Sequence, residues 1–364
     1  MHLVQCTGSI VADPTEFEAL LHQVYAYALR SSQSFATNRV KSYKMKLTAQ
    51  TTFDPYMTTH QPQLLYFQVP ANEQMQLESH RLAYYQWGDA HAKHLVICVH
   101  GLTRQGRDFD VLAQCLLKAY EEKGEPVQVI CPDVAGRGRS DWLMNAMSYQ
   151  VPSYAYGLKN LMDHLSLQVG AKAVDWVGTS MGGLIGMLIC GVDAFKLNVP
   201  VRRLVLNDVG PVVQWVFIER LKSYLGTGER FEREELGIQK LAEVSKSFGP
   251  HTPEQWAALS RPMLKKLRDD EWIFHYDPKI AEPIKQMTVE SSKAAEQIMW
   301  SIYDQIGCET LLVRGSESDL LKPEDAQLML SRGPKPAFYG VEGVGHAPTL
   351  VQEDQLQRLM EFLV

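Results

Sequence analysis

The sequence predicts an α/β protein: a mostly parallel central sheet of about eight strands, helices on both faces, and an inserted helical cap. Three observations predict it. Short β-rich runs alternate with helical stretches from about residue 63 onward, as parallel sheets require. Between Leu206 and Thr310 roughly one hundred residues break that alternation and carry helical periodicity with no convincing strand. A glycine-rich turn, Gly178 to Gly182, sits where an apolar strand gives way to a helix.

The elements follow in order. Asp13-Pro14-Thr15-Glu16 reads as a helix start, with an N-cap Asp and Pro at the first helical position. Phe17, Leu20, Leu21, Val24, Ala28 and Leu29 continue it as one amphipathic helix, whose apolar stripe would dock on the body or on a second copy in a homodimer. Ser31 to His60 is rich in Ser, Thr and Gln and reads as a loosely ordered arm. Strands are expected at Leu64–Val69, Arg81–Trp87, Leu95–Val99, Val127–Cys131, Ala173–Val177, Arg203–Leu206, Thr310–Val313 and Ala337–Val341. Several are continuously apolar, the pattern of strands covered on both faces. Helices are expected at Phe109–Glu121, Tyr154–Gln168, Leu184–Cys190 and Glu324–Arg332. The organisation is then an extension (1–62), a core (63–208 and 305–364) and a helical cap (209–304).

Composition narrows the class. The chain has 364 residues, 45% hydrophobic and 21% charged, which fits one large α/β domain with an insertion as well as two or three smaller units. A net charge of −6 gives a nucleic-acid partner no electrostatic footprint. No apolar run approaches the roughly 18–20 residues of a membrane span. Met1-His2-Leu3-Val4-Gln5-Cys6 has neither a basic nor an apolar leader region, so a cytoplasmic location is expected. The six cysteines, Cys6, Cys98, Cys115, Cys131, Cys190 and Cys308, form no C-x-x-C pair and read as reduced thiols rather than a zinc site or disulfide framework.

Chemistry concentrates at a few turns. Gly178-Thr179-Ser180-Met181-Gly182 is G-x-S-x-G in a strand–turn–helix setting. A tight elbow there pushes the serine hydroxyl out of the sheet, and its neighbours two residues away must be small because strand and helix close on each other. The same glycines do not fit G-x-G-x-x-G, Gly136-Arg137-Gly138-Arg139-Ser140 also fails that spacing, and no phosphate-binding G-x-x-x-x-G-K-[ST] exists. Nucleotide binding is excluded, and no cofactor is called for. His346, in Gly343-Val344-Gly345-His346-Ala347-Pro348 after the last strand, is the candidate base for Ser180. His91 and His94 share a polar turn without a carboxylate partner and carry no metal role, while His100 shapes the loop after Leu95–Val99.

The orienting acid is expected at Asp319, on the loop after Thr310–Val313, which gives the chain order Ser, Asp, His. Asp208, after Arg203–Leu206, is the alternative, or else an anchor for the hinge of the insertion. The oxyanion of an acyl-transfer intermediate would be held by the backbone N–H of Met181, at a helix N-terminus, and by that of Leu102 in His100-Gly101-Leu102.

Together with Asp133-Val134-Ala135-Gly136-Arg137-Gly138-Arg139-Ser140 and Gly315…Asp319…Pro323, these motifs resemble the α/β-hydrolase superfamily over roughly residues 63–364. In detail the set is similar to capped bacterial serine hydrolases related to esterases and to carbon–carbon (meta-cleavage-product) hydrolases. The resemblance implies Ser180 as nucleophile, His346 as base, Asp319 as acid, and Leu102 and Met181 as oxyanion donors, although some members place the acid one strand earlier. A serine at the elbow speaks against dehalogenases and epoxide hydrolases, which use Asp there.

The expected activity is hydrolysis of a small or medium carboxylic ester through an acyl-enzyme. Carbon–carbon, lactone and thioester cleavage are the alternatives, and a silent ligand binder is the remaining class. Four of the seven tryptophans, Trp215, Trp256, Trp272 and Trp300, fall in the insertion, where Trp215 and Trp272 would roof the pocket or else form the cap's own core. Arg104, Arg107, Arg137 and Arg139 would rim the site and attract an anionic substrate, unless Asp108, Asp110, Asp133 and Asp141 neutralise them.

Overall fold

The structure is a computed structural model that describes residues 61–364; the helix expected over Phe17–Leu29 and the arm to His60 lie outside the described residues. Strands β1 (Gln63–Val69), β2 (His80–Gly88), β3 (His94–Val99), β4 (Val127–Pro132), β5 (Ala173–Thr179) and β6 (Val201–Asn207) are followed by an insertion with three short strands. These are β7 (Arg230–Phe231), β8 (Leu264–Arg268) and β9 (Glu271–Phe274), and β10 (Glu309–Gly315) and β11 (Ala337–Val341) come after them. The main sheet has eight strands in the order β1-β2-β4-β3-β5-β6-β10-β11. Only β2 runs against its neighbours, pairing antiparallel with both β1 and β4.

Parity along the strands explains the layers. Val96 and Cys98 of β3, Val129 and Cys131 of β4, Val177, Val205, Leu311 and Val313 all belong to one apolar cluster. Covering them are Leu112 and Leu116 from α1 (Asp110–Glu122) and, from the C-terminal helix spanning Glu353–Leu363, Leu356 and Leu359. The alternate residues Leu95, Ile97 and Val99 point the other way and are equally buried. There α2 (Val151–Val169) and α3 (Met181–Gly191) pack against each other. Each Leu, Ile or Val sealed in this way contributes about 1.5–3 kcal/mol, so the two-sided burial is what dictates apolar runs with no polar alternation.

The chain passes from β3 outward to β4 and then returns to β5 on the far side of β3. That reversal opens a crevice at the carboxyl ends of β3 and β5, the place where open α/β sheets bind ligands. The loops after β3, β4, β5, β6, β10 and β11 therefore converge on it.

The insertion carries α4 (Trp215–Tyr224), α5 (Glu234–Val244), α6 (Pro253–Ser260), α7 (Ala281–Gln286) and α8 (Val289–Tyr303). Thr252 opens α6 with a capping box to Gln255, and Pro253 follows at its first position. The expectation of a strand-free insertion is corrected: β7, β9 and β8 form a small antiparallel sheet. Its signal is faint because β7 has two residues and β8, Leu264-Lys265-Lys266-Leu267-Arg268, is almost wholly exposed. After β10 come α9 (Pro323–Ser331), β11 and the helix over Glu353–Leu363, here α10.

Candidate active site

Ser180 sits between β5 and α3 with φ 51° and ψ −116°, a backbone conformation that side chains rarely adopt. The turn is forced by contact. A Cβ on Gly178 would land on the Gly182 carbonyl, and one on Gly182 would land on the Val99 carbonyl of β3. Only glycine lets strand and helix meet at that distance. The Trp176 indole N–H donates to the Gly182 carbonyl at 3.1 Å, and the Ser180 N–H donates to the Asn207 carbonyl at 2.9 Å. The elbow is thus bonded on both sides.

The Ser180 hydroxyl lies 2.9 Å from Nε2 of His346, and His346 Nδ1 lies 2.7 Å from Oδ2 of Asp208. Asp208 is 0% exposed and also has positive φ, 55°, which turns its carboxylate back over the end of β6. Its oxygens accept from three groups: His346 Nδ1, the Ser318 hydroxyl at 2.7 Å and the Gly315 N–H at 3.1 Å. All three groups face it as donors.

The structure does not bring Asp319 to His346. It lies one residue beyond Ser318, 43% exposed by side chain, and pairs with Arg220 of α4. The loop after β10 therefore wraps the acid of the neighbouring strand instead of supplying one. Arg220 also lies over Phe217, whose ring meets His346 edge-on at 5.1 Å. Among the described residues, Asp319 is connected to the site through that chain of contacts.

Gly101 faces the serine: a Cβ built on it would be 3.6 Å from the Ser180 Cβ. The Met181 N–H is the first of α3 and has no partner within the helix, and no protein acceptor among the described residues takes either it or the Leu102 N–H. Met181 follows Ser180 directly, and Leu102 follows Gly101, the residue that faces the serine. His100, the residue before Gly101, is fully buried; its Nδ1–H donates to the Gly101 carbonyl at 2.7 Å and its Nε2 accepts the Val134 N–H at 2.9 Å. Burial pushes its pKa down to about 3, with Arg137 and Arg104 adding repulsion against the bond to Gly101. It is a neutral brace between two loops.

The insertion closes over the histidine loop. Ser247 accepts the Gly345 N–H at 2.6 Å and donates its hydroxyl to the His346 carbonyl at 3.0 Å, while the Thr349 hydroxyl bonds His251 at 2.7 Å. Trp272 packs against Phe274 and the Leu241, Met263 and Leu264 cluster, the insertion's own core, and Trp215 is half-buried under Lys222. Of the four arginines, Arg104 pairs with Asp108 and Arg107 with Asp110, so those two are neutralised. Arg137 is not a rim residue at all but is 0% exposed. Asp141 pairs with Arg81, and Asp133 accepts the Gly106 and Arg139 N–H groups. His94, expected to lack a carboxylate, lies 2.8 Å from Asp175 at the opposite end of the sheet. Among the described residues no group of His, Cys, Asp and Glu is arranged to hold a metal ion, and no helix is long and apolar enough to cross a membrane.

This fold, with a serine elbow, a histidine loop and a buried aspartate, defines a hydrolase of the α/β class. A model of the alpha/beta hydrolase family matches residues 96–361, and the chain belongs to that family. It is 43% identical to the 3-hydroxybutyrate-oligomer hydrolase of Cupriavidus necator over 78% of its own length and 92% of that protein's. An alpha/beta hydrolase of Novosphingobium aromaticivorans is similar in structure, with TM-score 0.65 and 30% identity over 82% of this chain and 98% of that one. An esterase of Mycobacterium tuberculosis shares the fold at TM-score 0.61 and 19% identity, covering 85% and 93%.

Proposed function

We propose that the protein hydrolyses carboxylic esters of small or medium size through an acyl-enzyme on Ser180, and that short linear oligoesters of 3-hydroxy acids are its substrate class. The hydrogen-bonded line Ser180–His346–Asp208, at 2.9 and 2.7 Å, carries the reading. His346 Nε2 takes the hydroxyl proton as Ser180 attacks the ester carbonyl, and Asp208 keeps the other imidazole proton on Nδ1. The N–H groups of Leu102 and Met181 receive the oxyanion. His346 then returns its proton to the leaving alcohol, and water releases the acid by the same route.

The substrate class rests on the relative named for 3-hydroxybutyrate oligomers, 43% identical over 78% of this chain. The insertion acts as a cap: Ser247 and His251 bond the histidine loop at His346 and Thr349, which supports a preference for short chains over bulk polymer. All five described cysteines are free thiols, which supports a cytoplasmic location.

The test is hydrolysis of linear 3-hydroxybutyrate dimer and trimer beside p-nitrophenyl butyrate, in wild type and Ser180→Ala. The variant should fold and lose on the order of 10⁴–10⁶ in turnover. Retention of a tenth of the activity would remove Ser180 from its role. Cleavage of p-nitrophenyl butyrate without the oligomers would leave an esterase of another class, and faster turnover of a ring-fission diketone would move the reaction to carbon–carbon bonds.

A further inference from the structure

Arg137 is a buried cation with no carboxylate of its own. Among the described residues no Asp or Glu oxygen comes within ion-pair distance of it, although Arg104 and Arg107 on the adjacent loop each have one. Its partners are neutral. Nε donates to the Leu102 carbonyl at 2.8 Å, Nη1 to the Ala135 carbonyl at 2.7 Å and to the Tyr154 hydroxyl at 2.8 Å, and Nη2 lies 3.6 Å from the Met181 sulfur. Tyr149 and Tyr154 present ring faces to the guanidinium at 5.8 and 4.8 Å. The nearby buried Asp277 accepts from the Tyr149 hydroxyl at 2.6 Å, and its backbone N–H donates to the Gly136 carbonyl at 2.7 Å.

Burying an unpaired charge is costly unless something uses it. The guanidinium touches Leu102, which follows the serine-facing Gly101, and Met181, which follows Ser180 itself; these are the two oxyanion donors proposed above. We propose that Arg137 is the positioning residue of the oxyanion site, locking both donor residues in place and lending uncompensated positive charge to the anion that forms there. The idea rests on the ester-hydrolase reading above and adds a residue to it. Its charge matters little to a neutral ground-state ester and much to a tetrahedral oxyanion, so its effect falls on kcat. A fastening role alone would tie the three loops together without favouring one charge state of the substrate.

The experiment compares Arg137→Met and Arg137→Lys with wild type on p-nitrophenyl butyrate, and measures inhibition by an alkyl boronic acid, which forms an anionic tetrahedral adduct with the serine. Arg137→Met should lose about 10²–10³ in kcat, with KM within about threefold and boronate Ki weakened in step with kcat. Arg137→Lys, which keeps the charge, should recover a substantial part. A folded Arg137→Met with kcat within threefold of wild type, or with KM raised and boronate affinity unchanged, overturns the proposal. If neither variant folds, Tyr154→Phe decides: loss of one guanidinium anchor should lower kcat several-fold at constant KM, and wild-type kcat overturns the proposal. Ser180→Ala, run alongside, separates the two readings, because an active Ser180→Ala removes the ester mechanism itself, whereas an inactive one beside an active Arg137→Met removes only the role of Arg137.

Discussion

Replacing Asp208 by Asn should nearly abolish activity, and replacing Asp319 should not. The Asp208 carboxylate has three donors around it and no acceptor. An Asn there offers one oxygen and one NH₂. The Gly315 N–H is backbone and cannot turn away, so it keeps the amide oxygen on its side. The NH₂ then faces His346, and Nδ1 must become the acceptor. The imidazole proton shifts to Nε2, which points at the Ser180 hydroxyl 2.9 Å away and can no longer take its proton.

Loss of the correct tautomer in such a triad costs on the order of 10⁴ in turnover, about 5.4 kcal/mol of transition-state stabilisation. Asp319 belongs instead to a half-exposed pair with Arg220. Exposed pairs contribute about 0.2–1 kcal/mol, which caps the effect of Asp319→Asn near fivefold. The assay is kcat/KM on a soluble p-nitrophenyl ester, with circular dichroism to confirm that both variants fold. A 100-fold loss in Asp319→Asn together with less than about tenfold in Asp208→Asn would refute the reasoning and return the acid to the loop after β10.

Two further outcomes concern stability. Ser180→Gly removes the Cβ from a positive-φ position and should unfold at higher temperature than Ser180→Ala, by the equivalent of about 1 kcal/mol or more; equal melting temperatures would show the elbow to be unstrained. His100 has a folded pKa of about 3, below its unfolded value, so its stabilisation is complete above about pH 6.5 and is lost as pH falls toward 3. Between pH 6.5 and 5 that loss is about 2 kcal/mol, and in urea titrations at pH 7 and pH 5 His100→Gln should show a pH-dependent drop smaller by that amount.

The inner strands β3, β4 and β5 are legible because each is buried on both faces, which leaves continuous apolar runs, and the elbow is legible because glycine at 178 and 182 has a contact reason. The edge strands β1 and β11 are half-exposed and show instead through their β-rich composition. The insertion's strands are not legible: β7 has two residues, β9 four, and β8, an exposed ribbon of Lys and Arg, has no burial pattern to display. Arg137 is misplaced for a related reason. Between two glycines and beside Arg139 it reads as a loop-rim charge, and nothing in the local sequence reveals that Tyr149, Tyr154 and the Leu102 carbonyl enclose it.

The exchange of Asp208 for Asp319 has a topological cause. β6 and β10 are neighbours in the sheet, with Asn207 beside Val313, so the residues that follow both strands emerge at one place. Either loop can reach the imidazole of His346, and chain order is Ser, Asp, His in both cases. What separates them is backbone direction. The Asp208 N–H donates to the Val313 carbonyl at 2.8 Å and its φ is positive, which aims the carboxylate across the end of β10 toward Ser318 and His346. Once that acid is in place, the loop after β10 needs donors rather than a second carboxylate, and it supplies the Gly315 N–H and the Ser318 hydroxyl. Asp319 then faces out to Arg220 on α4, the insertion's first helix. There it pairs with the helix whose Phe217 ring meets the His346 imidazole edge-on, so Asp319, expected as the acid, is linked to that imidazole through Arg220 and Phe217.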